Sequence, residues 1–205
     1  MNATGGPGAS GRPADLQLAR WIIQAKSGDA EAFEELVSLH ERQVLGTAWR
    51  LLGRVEDAED AAQEVFLRLF RSLSKVDPGR PLSAWLYRVT VNVCRDLGRR
   101  RQRRSRGAPD SVEELREAHG LEPEDPAAGP ERRAGAAQET RRILDALAAL
   151  PEKERAAVVL RDLQGLSTAE VAEILGSTPV TVRTQISRAR LKLHRFRQQM
   201  HGRTR

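Results

Sequence analysis

From Asp15 onward the apolar residues recur at intervals of three and four, and no stretch alternates with a period of two. Leu18, Trp21, Ile22 and Ala25 predict a helix capped by Asp15 and ending near Gly28. Asp29 can cap a second helix, whose stripe runs Phe33, Leu36, Val37, Val44, Ala48 and Leu51 before Gly53 stops it. Ala58, Ala61, Ala62, Val65, Phe66 and Leu69 mark a third. Ser74 to Pro81, with Asp77-Pro78-Gly79 inside it, reads as a turn-rich loop. Leu82, Trp85, Leu86, Val89, Val93 and Leu97 lie on one face of a fourth helix. Four amphipathic helices can bury one shared core, so residues 15–105 are expected to form a first domain.

Residues 106–137, rich in Pro, Gly, Ala and Glu, hold no sustained period and are expected to form a flexible linker, as residues 1–14 form a disordered tail. A second domain is expected over 138–198, followed by a basic tail over 199–205. Ile143, Leu147 and Leu150 share a face. Pro151 fits the first turn of a helix carrying Ala156, Val159, Leu160 and Leu163, which stops at Gly165. Ser167 and Glu170 have the spacing of a capping box, and the short helix they open presents Val171, Ile174 and Leu175 before Gly176. Thr178-Pro179 then starts a last helix that buries Val182, Ile186, Ala189 and Leu193. The expected fold is all-α: two small helical domains on a linker, the second containing a helix-turn-helix.

Charge sharpens this picture. The net charge is +6, but residues 95–106 carry +6 and residues 183–205 carry +8, while residues 107–139 carry −6. Two short basic segments favour polyphosphate or anionic-lipid partners. No apolar run approaches a bilayer span, and the N-terminus lacks a secretory pattern, so membrane insertion and secretion are not expected. The single cysteine, Cys94, suits the reducing cytoplasm, where the chain is expected to act. Gly6, Gly8 and Gly11 match a dinucleotide fingerprint, yet no strand precedes them. P-loop, zinc-protease and serine-hydrolase motifs are missing, and His40, His119, His194 and His201 have no ligand spacing. Catalysis, a metal, a cofactor and a small-molecule substrate are therefore not expected.

The capped helix pair near the C-terminus points instead to DNA. On the last helix Thr181, Thr184, Gln185 and Arg188 share one face, with Arg183, Ser187 and Arg190 on the adjoining stripe. Arginine can fork onto guanine and glutamine onto adenine, while hydroxyls reach bases or phosphates. On the fourth helix Arg88, Asn92, Arg95 and Arg99 recur at helical spacing and lead into the arginine-rich run 99–104, a surface able to track phosphates. The third helix is the opposite: Glu56, Asp57, Glu59, Asp60 and Glu64 make its first half acidic. That charge suits a helix N-terminus, and it equally suits docking on a basic protein.

Taken in order, these segments resemble bacterial RNA polymerase sigma factors of the extracytoplasmic-function class. The run 58–67, Ala-Glu-Asp-Ala-Ala-Gln-Glu-Val-Phe-Leu, is similar to their core-binding region 2.2. Trp85-Leu86-Tyr87-Arg88-Val89 with Asn92, Cys94, Arg95 and Asp96 resembles the promoter-melting helix. Leu150-Pro151-Glu152, Leu160-Arg161-Asp162, Gly165-Leu166-Ser167 and Thr181-Val182-Arg183 resemble region 4. The resemblance implies a protein that binds core RNA polymerase, recognises −35 and −10 elements and helps open the duplex. It implies docking on the β′ clamp through Glu59, Asp60, Gln63, Glu64 and Phe66, with region 4 on the β flap. It implies −10 contacts from Lys75, Val76, Arg88, Asn92, Arg95 and Arg99, and −35 contacts from Arg161, Arg183, Thr184, Gln185, Ser187 and Arg188. The acidic linker would thread towards the polymerase channels, and an anti-sigma protein would hold the chain inactive. Val76 stands where some relatives carry an aromatic, and Gln185 where many carry arginine. The competing reading is an ordinary helix-turn-helix regulator, which would bind its operator without polymerase.

Overall fold

Residues 13–105 and 130–202 are described by the computed structural model, and they are helical almost throughout, with no strand among them. The first domain holds α1 (Pro13–Lys26), α2 (Ala30–Leu52), α3 (Val55–Ser72) and α4 (Leu82–Ser105). Helix α1 starts ahead of the Asp15 cap, because Pro13 fits a first helical position, where the missing N–H costs nothing. The rest of the expected tail, 1–12, lies outside the described residues.

Helix α2 is bounded as its sequence requires. The Asp29 carboxylate accepts the Ala32 N–H at 3.1 Å, and Gly53, at φ 79°, sends its N–H back to the Trp49 carbonyl. Its inner face buries Leu36, Val44, Ala48 and Leu51 against Ile22 of α1, Val65 and Leu69 of α3, and Leu86 and Val93 of α4. Each fully buried aliphatic side chain contributes about 1.5–3 kcal/mol. His40 shares this face and is buried, which lowers its pKa through desolvation; a hydrogen bond with Gln43 opposes the shift.

The second domain holds α5 (Pro130–Ala148), α6 (Glu152–Val158), a π turn at Val159–Leu163, α7 (Thr168–Leu175) and α8 (Pro179–Gly202). The linker expected over 106–137 gives way to helix at Pro130, again a proline in the first helical position and followed by good helix formers. Residues 106–129 lie outside the described residues. The basic tail expected over 199–205 is helical as far as Gly202, and 203–205 are not described. On α5 Leu147 is buried as expected and Leu144 is buried beside it, whereas Ile143 points outward. The π turn was not legible in the sequence. Gln164 N–H reaches back to the Val159 carbonyl, a five-residue step that accommodates one extra residue and turns the register. Leu163, expected inside, is consequently 45% exposed.

The two domains pack on each other. Helix α4 meets α7, and α2 meets α5 and the π turn. The Arg155 guanidinium ties the seam: it donates to the Leu51 carbonyl of α2 at 2.7 Å and to the Ala148 and Leu150 carbonyls at 2.8 and 3.0 Å. These are carbonyls at the C-terminal ends of two helices, the groups a cation satisfies best.

Candidate nucleic-acid interface

Helix α3 separates its charges by use. Asp57 is spent inside the domain, paired with Arg54 and with Arg101 at 3.0 Å. Glu59, Asp60 and Gln63 are exposed. Glu64 is half exposed and accepts from Arg68 Nε at 2.7 Å, and that hydrogen bond holds its carboxyl below the usual range. Phe66 is partly buried and packs against the core. The exposed apolar residues of this helix are Leu67 and Phe70, at 42% and 62%. Asp60, Gln63, Leu67 and Phe70 recur at i, i+3, i+7 and i+10, so one outward stripe combines acid with apolar surface. Phe70 is steadied by an edge-to-face contact with Phe33 at 5.3 Å.

Between α3 and α4 the chain makes a 3-10 turn at Leu73–Lys75. Lys75 is exposed, whereas Val76, expected among the −10 contacts, is buried in the core. On α4, Arg88, Asn92 and Arg99 are exposed or partly so, and Arg95 is half buried. The opposite side of the helix is not the only apolar one. Tyr87, Val91 and Cys94, at i, i+4 and i+7, form a second buried stripe. Burial pushes the Cys94 thiol up to about 12. The thiolate is the reactive form, so native protein at pH 8 is expected to react with a maleimide far more slowly than protein unfolded in urea. Equal rates in the two conditions would refute the burial.

The helix-turn-helix is fixed by caps at both starts. Ser167 Oγ accepts the Glu170 N–H at 3.2 Å while Glu170 Oε2 accepts the Ser167 N–H at 2.7 Å. Gly176, at φ 60°, ends α7, and Thr178 Oγ1 accepts the Thr181 N–H at 3.2 Å to open α8. Thr181, Arg183, Thr184, Ser187 and Arg188 are exposed along the first turns of α8, and Arg161 is half buried on the π turn. Gln185 departs from the expected face: it is half buried, its Oε1 enclosed without a hydrogen-bond partner. Two of the basic charges of α8 are used internally. Arg190 forks onto Asp162 at 2.6 and 2.9 Å, and Lys192 holds the buried Glu154 carboxylate at 2.8 and 3.0 Å. Arg183 and Arg188 are outward on the N-terminal half of the helix, where a recognition helix meets base edges, and Arg195 and Arg197 are exposed on its C-terminal half.

Several residues that join the two domains were missed in the sequence. Arg88 pairs with Glu173 of α7 at 3.4 Å, Arg95 pairs with Glu152 of α6, and Tyr87 Oη donates to Gln164 Oε1 at 3.1 Å. Among the described residues no cluster of His, Cys, Asp and Glu could hold a metal, and no helix is long and apolar enough to cross a membrane.

Comparison with known proteins fits this geometry. Residues 36–104 match the model of sigma-70 region 2, and residues 140–193 match that of sigma-70 region 4. The chain is 38% identical to the ECF RNA polymerase sigma factor SigE of Mycolicibacterium smegmatis, over 90% of this chain and 69% of that protein. It is 37% identical to the RNA polymerase sigma factor CnrH of Cupriavidus metallidurans, over 83% of this chain and 88% of that one. A solved structure of CnrH in complex with the cytosolic domain of CnrY superposes with a TM-score of 0.62 at 29% identity, covering 87% of this chain and 95% of that chain. With both regions in order and relatives matched along most of its length, the chain belongs to the extracytoplasmic-function class of bacterial RNA polymerase sigma factors, and it directs promoter-specific transcription initiation.

Proposed function

We propose that three separate surfaces divide the work of initiation. The stripe of α3 made by Glu59, Asp60, Gln63, Glu64, Leu67 and Phe70 docks on the β′ clamp of core polymerase. The face of α4 with Arg88, Asn92, Arg95 and Arg99, together with Lys75, takes the displaced −10 strand; arginines hold its phosphates while a base leaves the stack. The N-terminal half of α8 reads the duplex −35 element with Arg183, Thr184, Ser187 and Arg188, supported by Arg161 and by region 4 on the β flap. This reading assigns no contact to Val76, which is buried, or to Gln185, whose amide oxygen is enclosed. The observation that carries the reading is the opposition of chemistries. Helix α3 exposes acid and apolar surface, which DNA would repel, whereas α4 and α8 expose arginine.

The chain contributes binding and positioning, and polymerase makes the phosphodiester bonds. It works in the cytoplasm, at the nucleoid. The solved complex of CnrH with the cytosolic domain of CnrY supports a further protein partner that covers these surfaces, an anti-sigma protein. The test is transcription in vitro with purified chain and sigma-free core polymerase on a genomic promoter library. Promoter-specific transcripts that require the chain are expected. Specific binding of an operator by the free protein, with no transcripts, would move a polymerase-independent regulator into first place.

A further inference from the structure

The loop between α3 and α4 has Lys75 at its entrance and Arg88 just beyond its exit. Both ends are fixed, because Val76 and Leu82, which flank residues 77–81, are buried in the core. Inside the loop, Asp77 Oδ1 accepts the Gly79 N–H at 2.9 Å, and the Asp77 carbonyl accepts that of Arg80 at 3.1 Å. The exit has a further tie, to α2. Gln43 Nε2 donates at 3.4 Å to the Ser83 carbonyl on the first turn of α4, forty residues along the chain. A carbonyl only accepts, so this bond turns the Gln43 amide oxygen the other way, onto His40 Nδ1 at 3.2 Å. That nitrogen must then carry the ring proton. His40 Nε2 is left bare, enclosed and without a partner, which suits a neutral ring; a charged one would hold an unsatisfied N–H there. Thr47 and Thr90, also buried in this domain, bond only to carbonyls of their own helices. His40 and Gln43 instead join two helices.

We propose that Gln43, oriented by His40, is a positioning residue for promoter opening. It pins the first turn of α4 to α2, so that the loop 77–81 and Arg88 meet the displaced strand in one fixed arrangement. The inference rests on the −10 reading of α4. Neither residue touches DNA in this scheme, since His40 is buried and Gln43 is half buried. A base that leaves the duplex gives up its stacking, and protein groups offset that loss best when they are already in place. An untied α4 end would have to be ordered at that same moment, at a cost in conformational entropy. One hydrogen bond at the joint has leverage because only five residues separate the two buried feet, and the turn between them is closed on itself.

The experiment uses holoenzyme reconstituted from the full chain and core polymerase, on a promoter recovered by transcription in vitro. Permanganate reactivity of thymines in the −10 element reads strand opening, and competition for limiting core polymerase reads docking. Gln43→Met keeps the length of the side chain and loses both hydrogen bonds. Gln43→Glu restores an acceptor for His40, but its carboxylate has no N–H for the Ser83 carbonyl. Both variants are expected to lower opening about fivefold, the loss of one weak hydrogen bond, with competition for core unchanged. Parental opening in Gln43→Glu would overturn the proposal, because the acceptor for His40 would then be all that matters. A parallel fall in core competition would also overturn it, since the fault would lie in the whole domain. Asn92→Ala, on the −10 face itself, is expected to lower opening by at least as much. If Asn92→Ala opens the promoter normally, the −10 reading fails and the inference falls with it. A loss in Asn92→Ala beside full opening in both Gln43 variants would keep the −10 reading and remove the positioning role alone.

Discussion

Holoenzyme formation is expected to weaken about a hundredfold, ~3 kcal/mol, when Asp60→Arg and Leu67→Arg are combined on α3. Both residues are exposed and neither carries the core, so the substitution changes the surface without emptying the fold. The loss has two parts. Reversing one charge opposes a basic partner, and replacing an apolar side chain with a cation leaves a charge to be desolvated in the contact. Asp57 would be a poor choice for the same test, because its carboxylate pairs with Arg54 and Arg101 and its loss would act on the domain itself. Phe66→Ala would mislead in the same way, since Phe66 packs against the core. The measurement is competition against a reference sigma factor for limiting core polymerase, with circular dichroism to confirm the helices. Undiminished competition by the double variant would move the docking surface off α3.

Most of the architecture was legible because helix boundaries are written in local chemistry. Asp29, Gly53, Ser167, Glu170 and Thr178 each act as their positions in the sequence required. What the sequence hid was register at the margins of a face. Phe66 and Leu67, Ile143 and Leu144, and Gln185 beside Ile186 are neighbours about 100° apart on a helix, so a small error in the placement of the core exchanges inside for outside. The π turn made this worse, since one extra residue in Val159–Leu163 shifts the helical register there and puts Leu163 in solvent. Val76 sits among turn residues that read as surface, yet it anchors the start of the loop in the core. The seam between the domains left a trace that periodicity could have found. Tyr87, Val91 and Cys94 make a second apolar stripe on α4, and a helix apolar on two sides needs two neighbours. No local pattern, however, says that Glu152 and Glu173 meet Arg95 and Arg88 across more than fifty residues of chain.

The basic residues of α8 should divide sharply when truncated one at a time. Arg188→Ala is expected to lower transcription that depends on the −35 element by roughly 10- to 100-fold, the ~1–3 kcal/mol of a lost base contact, while leaving unfolding unchanged. Its side chain is exposed on the half of the helix proposed to face the groove. Arg183→Ala is expected instead to weaken binding evenly across sequences and to flatten the salt dependence by about one unit of slope, as loss of a phosphate contact does. Lys192→Ala is expected to behave as neither. Its ammonium holds both oxygens of Glu154, a carboxylate-bearing residue exposed to only 8%, and removal leaves that charge buried and unpaired. The cost is ~1–3 kcal/mol of region 4 stability, read as an earlier unfolding midpoint in urea. The three profiles separate recognition, phosphate tracking and folding on a single helix. If Lys192→Ala instead lost promoter selectivity at full stability, α8 would be meeting DNA through its C-terminal half, and the recognition face would have to be turned accordingly. The internal pairs of Arg190 and Lys192 argue against those two cations as phosphate contacts, because each pair would have to be broken before its cation could reach a phosphate.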